Sequence, residues 1–130
     1  MRKKNELLTK GEEALMELFW NASEPLTSMQ LSEMTDEFND SYIHKLLKSL
    51  LAKNIIRVEG VVASGKQYAR SFQPTMTREE YAAQVMCELG IRDEKAIAKV
   101  AVAMVKASEE SSKDALVKQL ESMVQELKGK

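Results

Sequence analysis

The stretch that most constrains the fold is 39–68, where a helical pattern leads directly into two short segments of strand character. Asn39 or Asp40 can cap the start of this helix, and Asn54 can adopt the left-handed conformation that ends one. Apolar residues recur between these ends at three- and four-residue steps, which is one stripe of an α-helix. They are Ile43, Leu46, Leu47, Leu50 and Leu51.

The segments after this helix predict a β-hairpin. Residues 55–62 are dense in β-branched side chains, and 67–72 alternate polar and larger groups. Between them, 63–66 contain a Ser-Gly pair that is typical of a tight turn. We therefore expect a helix followed at once by two antiparallel strands.

Two earlier helices are predicted from paired capping residues. Thr9 with Glu12, and Thr27 with Gln30, have the spacing of a capping box, in which each side chain binds the backbone amide of the other residue. The first helix should run to about Ser23, and Leu26, Met29, Leu31 and Met34 give the second a short apolar face. Gly11 lies in the first turn of the first helix, where it costs up to about 1 kcal/mol relative to alanine.

Three helices and a hairpin in this order predict a winged helix-turn-helix. The aromatic content is only 5% while aliphatic residues are abundant, which favours packed helices over a sheet sandwich. We expect a mainly α fold with a small β-hairpin. The predicted organisation is a DNA-binding winged-helix domain in 1–75 followed by a helical dimerisation region in 76–130.

The second half predicts three further helices. Thr77 with Glu80 caps the fourth, which should end at Gly90, while Asp93 can cap the fifth and Ser111 or Ser112 the sixth. The fifth and sixth are too few to enclose a core of their own, so we expect their apolar stripes to pack against a second copy. A stripe folded back onto the first domain is the alternative. The predicted dimerisation residues are Ile97, Val100, Met104, Leu116, Leu120, Met123 and Leu127.

The polar side of the third helix is the predicted DNA-binding surface. Lysines there can neutralise phosphates or bind base edges, and hydroxyl groups near helix starts can donate to phosphate. From the third helix the candidates are Asn39, Ser41, Tyr42, His44, Lys45 and Lys48. From the second helix and the hairpin they are Thr27, Ser28, Lys66 and Arg70.

Charge leaves a second interpretation open for the winged helix. Lysine and arginine total 19 against 20 for aspartate and glutamate, so any attraction to DNA must come from local placement. Asp36, Glu37 and Asp40 lie close to the third helix and would repel phosphate. A winged helix that binds another protein, without DNA, is therefore the alternative function.

Catalysis, metal binding and export are not expected. One histidine and one cysteine, Cys87, provide no catalytic or metal-binding constellation, and no cofactor is predicted. Cys87 lies among apolar residues and is predicted to be a small buried side chain. A reducing cytoplasm fits a chain with a single cysteine, and no signal peptide or membrane span is apparent.

The sequence resembles the penicillinase-repressor family from Leu8 to about Tyr81. The segments that carry the likeness are LTKGEEALMELFWNASEPLTSMQLSE, FNDSYIHKLLKSLLAKNIIRVE and the hairpin that ends in YARSFQPTMTREEY. Within the family motif Lys53 matches, whereas several polar positions differ. Phe38 stands for a tryptophan, Asn39 for a serine, Tyr42 for a threonine, Ser49 for an arginine and Asn54 for a glycine.

The resemblance implies a homodimeric repressor that binds a palindromic DNA operator. Members of the family regulate resistance or metal-response genes, and an inducer or sensor protein is implied as a partner without being identified. Copper-responsive members carry Cys-X-Cys pairs, which this sequence lacks, and antibiotic-responsive members are cleaved at an Asn-Phe bond, which does not occur after Phe72. Neither of these two induction mechanisms is therefore expected.

Overall fold

The computed structural model describes residues 7–108 and 113–129. The chain divides into two compact units, the first ending at Glu88 and the second beginning at Leu89. The first unit contains α1 (Lys10–Asn21), β1 (Leu26–Thr27), α2 (Ser28–Met34), α3 (Asp40–Ala52), β2 (Ile56–Ser64), β3 (Gln67–Pro74) and α4 (Arg78–Glu88). The second contains α5 (Glu94–Ala107) and α6 (Lys113–Lys128).

The predicted capping residues begin their helices as expected. At the start of α1 the Thr9 hydroxyl accepts from the Glu12 amide at 3.2 Å, and the Glu12 carboxylate accepts from the Thr9 amide at 2.8 Å. The same reciprocal pair begins α2, and Asn39 Oδ1 accepts from the Tyr42 amide at 2.8 Å at the start of α3. Side-chain caps of the same kind begin α4 and α5. The cap predicted at Ser111 or Ser112 lies outside the described residues.

The predicted hairpin is part of a three-stranded antiparallel sheet in the order β1-β3-β2. Gly65 has φ +65° at the turn, where a residue without a side chain is favoured. The sequence did not indicate β1, in which Leu26 pairs with Phe72. The sequence pattern instead predicts Leu26 on the apolar face of the second helix, because a two-residue strand has no recognisable period.

One hydrophobic core fills the first unit. α3 contributes its predicted stripe, with Ile43, Leu46, Leu47 and Leu50 at most 5% exposed. The prediction for α2 was right only in part, because Leu31 is buried whereas Met29 and Met34 are 57% and 47% exposed. The other buried apolar residues are Leu8, Leu15, Met16, Phe19, Leu26, Ile55, Ile56, Phe72 and Tyr81.

α4 packs as part of the winged-helix unit. Tyr81 is buried, and its hydroxyl accepts a hydrogen bond from the Leu8 amide at 2.9 Å. The Trp20 indole donates to the Met76 carbonyl at 3.0 Å, and its ring lies 5.9 Å from that of Tyr81. The compact unit therefore extends to Glu88, beyond the boundary that we predicted after Thr75.

The two helices of the second unit have no buried residue. Most of the predicted dimerisation residues are exposed, including Ile97 at 53%, Met104 at 61% and Leu127 at 79%. Val100 and Leu116 are half-buried. Both helices thus carry apolar side chains that remain accessible to a partner.

No helix among the described residues is long and apolar enough to cross a membrane. The described part of the chain contains no group of three or more His, Cys, Asp or Glu residues placed to hold a metal ion. Cys87 is exposed on α4, so the expectation that it is buried was wrong. Val85 and Met86, its apolar neighbours in sequence, are half-buried, and the helical period places them about 200° and 100° away from Cys87 around the helix.

Candidate nucleic-acid interface

A groove between α3 and the hairpin collects side chains from three elements of the first unit. We call it the α3–wing groove, and its polar lining consists of Ser28, His44, Lys48, Gln67, Tyr68 and Arg70. Four of these residues were predicted DNA contacts, namely Ser28, His44, Lys48 and Arg70. The fold therefore brings together residues that are far apart in the sequence.

The apolar floor of the groove explains why its polar side chains point outward. Leu47 and Leu51 of α3 and Phe72 of β3 line the bottom. Alternation along a strand places Arg70 on the same face as Phe72, and its guanidinium carbon lies 5.3 Å from the ring centroid. This cation–π contact holds a positive charge at the wall of the groove.

The electrostatic character of the groove is positive. Lys48 and Arg70 line it, and the described residues that line it include no carboxylate. The described ion pairs use other cations, which are Lys53, Arg57 and Arg78. Acidic groups lie in a neighbouring depression, where Asp40 accepts a hydrogen bond from the Ser32 hydroxyl at 2.6 Å.

Three further predicted contacts lie on or near the same side of the molecule without lining the groove. Ser41 and Lys45 are exposed on α3, seven and three positions before Lys48, and therefore share its helical face. Lys66 is exposed at the hairpin turn, directly after Gly65. A long polymer such as duplex DNA could touch them together with the groove.

Thr27 is placed differently from our prediction. It is only 6% exposed, and its hydroxyl accepts a hydrogen bond from the Gln30 amide at 3.2 Å. This hydroxyl therefore stabilises the start of α2 and is not available to phosphate. Asn39 is exposed but likewise uses its side-chain oxygen as a helix cap.

Tyr42 turns towards α1 and away from the groove. Its ring makes an edge contact with Phe38, with 5.2 Å between centroids, and its hydroxyl lies over Gly11. A Cβ atom added at Gly11 would approach that hydroxyl to 2.5 Å, closer than real Cβ contacts allow. The glycine that costs helix stability in the sequence thus makes room for Tyr42.

Two more polar residues at the C-terminal end of α3, Ser49 and the C-cap residue Lys53, are used inside the protein. The Lys53 ammonium donates to Glu12 Oε1 at 2.6 Å and to the Leu7 carbonyl at 3.1 Å. The Ser49 hydroxyl donates to the other oxygen of Glu12, a residue that is only 2% exposed. These hydrogen bonds connect the C-terminal end of α3 to the start of α1.

The environment of Glu12 favours its charged form. Burial raises the pKa of Glu12, but hydrogen bonds from Lys53, Ser49 and the Thr9 amide, together with the charge of Lys53, outweigh burial and hold the pKa below its ordinary value. The carboxylate is thus the species that joins α1 to α3. Ser49, which stands where the family motif has arginine, has a structural role here.

Tyr68 is the main residue of the groove that the sequence analysis missed. It is 78% exposed, although large aromatic side chains are usually buried, and it lines the groove next to Gln67. The sequence contained a usable signal, since Tyr68 precedes Arg70 by two positions and a strand places such residues on one face. The alternating pattern of 67–72 predicts a strand and does not by itself single out Tyr68.

Comparison with known proteins supports DNA-binding transcription regulation as the general activity. The family model described as Penicillinase repressor matches residues 8–126. No curated protein matches the sequence significantly. A solved structure described as "staphylococcus aureus MarR in complex with salicylate and kanamycin" is 19% identical, covers 91% of this chain and 70% of its own, and has a TM-score of 0.47. A likeness of that size adds nothing about function.

The family match covers most of the chain and includes both units. It agrees with the order of elements, three helices followed by a hairpin, and with the positive groove between α3 and β3. The chain belongs to the penicillinase repressor family of DNA-binding transcription regulators.

Proposed function

We propose that the protein is a cytoplasmic, homodimeric repressor that binds a palindromic operator in duplex DNA. α3 enters the major groove, and the hairpin contacts the adjoining backbone. An inducer or sensor protein, not yet identified, would release the repressor from DNA. The observation that carries this proposal is the α3–wing groove, whose cations face solvent with no carboxylate among the described lining residues.

The chemistry of the groove suits a phosphate backbone better than a protein surface. Lys48 and Arg70 can each neutralise a phosphate, and the Ser28 and Tyr68 hydroxyl groups can donate to backbone oxygens. His44 offers a hydrogen bond to a base edge or a phosphate. The acidic residues that favoured the protein-binding alternative do not line this groove, so DNA is the better-supported ligand.

A homodimer would give the protein two reading helices. A single winged helix contacts one half-site, whereas a two-fold pair contacts two half-sites about one helical turn apart, roughly 34–36 Å. Joining the two binding events raises the effective concentration of the second. The accessible apolar stripes of α5 and α6 supply the surface on which the two copies would associate.

A charge reversal on α3 tests the DNA-binding site. Lys48→Glu should weaken binding to the protein's own upstream promoter roughly a hundredfold or more, because both copies would then oppose phosphate with a negative charge. Fluorescence anisotropy of labelled promoter DNA, recorded at low and moderate salt, measures the effect. Circular dichroism should show an unchanged fold, since Lys48 is exposed.

Lys10→Glu is the matched control. Lys10 is exposed on α1 and does not line the groove, yet its reversal changes the net charge by the same amount. Equal losses of affinity in both variants would mean that net charge alone governs binding. Unchanged affinity in Lys48→Glu would remove the α3–wing groove from the DNA interface.

A further inference from the structure

Asp40 is the first residue of α3, and its exposed carboxylate is held in one orientation by α2. The Ser32 hydroxyl, which is half-buried, donates to Asp40 Oδ1 at 2.6 Å. Within the described part of the chain, Asp40 belongs to no ion pair, so its negative charge is not neutralised. The other oxygen, Oδ2, can therefore accept a hydrogen bond from a bound molecule.

The position of Asp40 places this carboxylate beside the candidate DNA interface. Asp40 lines a depression between α2 and α3 that shares two residues, Ser28 and His44, with the α3–wing groove. His44 follows Asp40 by four positions, so the two side chains lie on one face of α3. In a helix-turn-helix, the N-terminal residues of the recognition helix contact base edges in the major groove. Asp40 lies at that end of α3.

A carboxylate at this place discriminates strongly among the parts of DNA that it can meet. It accepts hydrogen bonds but donates none, and its charge repels phosphate. In the major groove, guanine presents two acceptors, thymine an acceptor and a methyl group, and adenine an amino group next to an acceptor. Cytosine presents only its N4 amino donor. The cost of bringing Asp40 to DNA is therefore best recovered at a cytosine.

We propose that Asp40 is a specificity-determining residue that accepts a hydrogen bond from N4 of one cytosine in each operator half-site. Ser32 is its positioning residue, because the Ser32 hydroxyl fixes the carboxylate. This inference rests on the proposed DNA-binding function and names a base that the site selects. The acidic charge beside α3 then contributes to the choice of sequence, whereas Lys48 and Arg70 contribute to affinity for any sequence.

The variant Asp40→Asn tests this assignment in the full-length protein. Selection from a library of random DNA duplexes should enrich a cytosine at one position of each half-site for the wild type. Asparagine instead pairs with N6 and N7 of adenine, so the variant should enrich adenine at that same position. Fluorescence anisotropy should confirm the switch. Replacing that C·G pair by A·T should weaken wild-type binding about tenfold or more and should strengthen binding of the variant.

Glu33→Gln is the matched control, because Glu33 is exposed in the same depression but belongs to α2. It removes the same charge and should leave the preference for cytosine unchanged. Ser32→Ala should reduce that preference without changing affinity for the duplex that lacks the cytosine.

Two outcomes would overturn the assignment while leaving DNA binding intact. In the first, Asp40→Asn would enrich the same base as the wild type. In the second, Asp40→Asn would gain affinity equally for both duplexes, which would make Asp40 a repulsive charge alone. A wild-type protein that enriched no sequence from the library would overturn the proposed function as well.

Discussion

The polar side chains of α3 and of its C-cap residue have two separate roles. Ser41, His44, Lys45 and Lys48 are exposed to solvent, whereas Ser49 and Lys53 bind Glu12 at the start of α1. By the helical period Ser49 lies beside the exposed face of α3, and only the structure shows that an acidic residue of another helix binds it. The helical period identifies which residues share a face of the helix, but not which residues of other elements contact them.

Replacement of Glu12 should weaken the first unit strongly at neutral pH. In Glu12→Gln the mostly buried Lys53 ammonium loses its negative partner, which should lower the free energy of unfolding by about 3 kcal/mol. Urea denaturation followed by circular dichroism measures the loss. Glu13→Gln is the control, because Glu13 is exposed in the same turn of α1 and should change stability little.

The loss should also depend on pH with a definite sign. Because the pKa of Glu12 is lowered in the folded protein, its stabilisation is present above its ordinary value of 4.5 and is lost as the pH falls through the folded-state value. The difference between wild type and Glu12→Gln should therefore shrink at acidic pH. A difference that stayed constant from neutral pH to pH ~3 would contradict the ionic role of Glu12.

At the scale of elements, capping residues and apolar periods predicted α1, α2, α3 and the hairpin, since these signals are local. β1 could not be predicted, because its two residues are held by pairing with β3. The contacts of α4 could not be predicted either, because the Tyr81 hydroxyl accepts a hydrogen bond from the amide of Leu8, which is distant in the sequence. Features that depend on partners distant in the sequence are therefore visible only in the structure.

The packing of α1 on α3 can be tested through Gly11 and Tyr42. Gly11→Ala should destabilise the protein by about 1 kcal/mol, because the new methyl group forces the Tyr42 hydroxyl to move. In a Tyr42→Ala background the same change should stabilise it by several tenths of a kcal/mol, through helix propensity alone. Thermal and urea unfolding of the four proteins provide the double-mutant cycle. Equal effects in both backgrounds would show that the two helices are not coupled at this point.

At the scale of the whole molecule, the winged-helix unit carries a positive groove and the second unit carries accessible apolar faces. The sequence anticipated both features, but not that Ser28, Lys48 and Arg70 would line one groove with Tyr68. That grouping arises from the fold, in which residues of α2, α3 and β3 line one groove. In the proposed homodimer, two copies of this groove would contact the DNA together.

The salt dependence of promoter binding tests the central claim most directly. The double variant Lys48→Met, Arg70→Met should remove two phosphate contacts from each copy, and so about four from a dimer. The slope of log K against log salt should then become shallower by about 3 to 4, whereas Lys10→Met should leave it unchanged. If the double variant kept the wild-type slope, the α3–wing groove would not contact the phosphates of DNA.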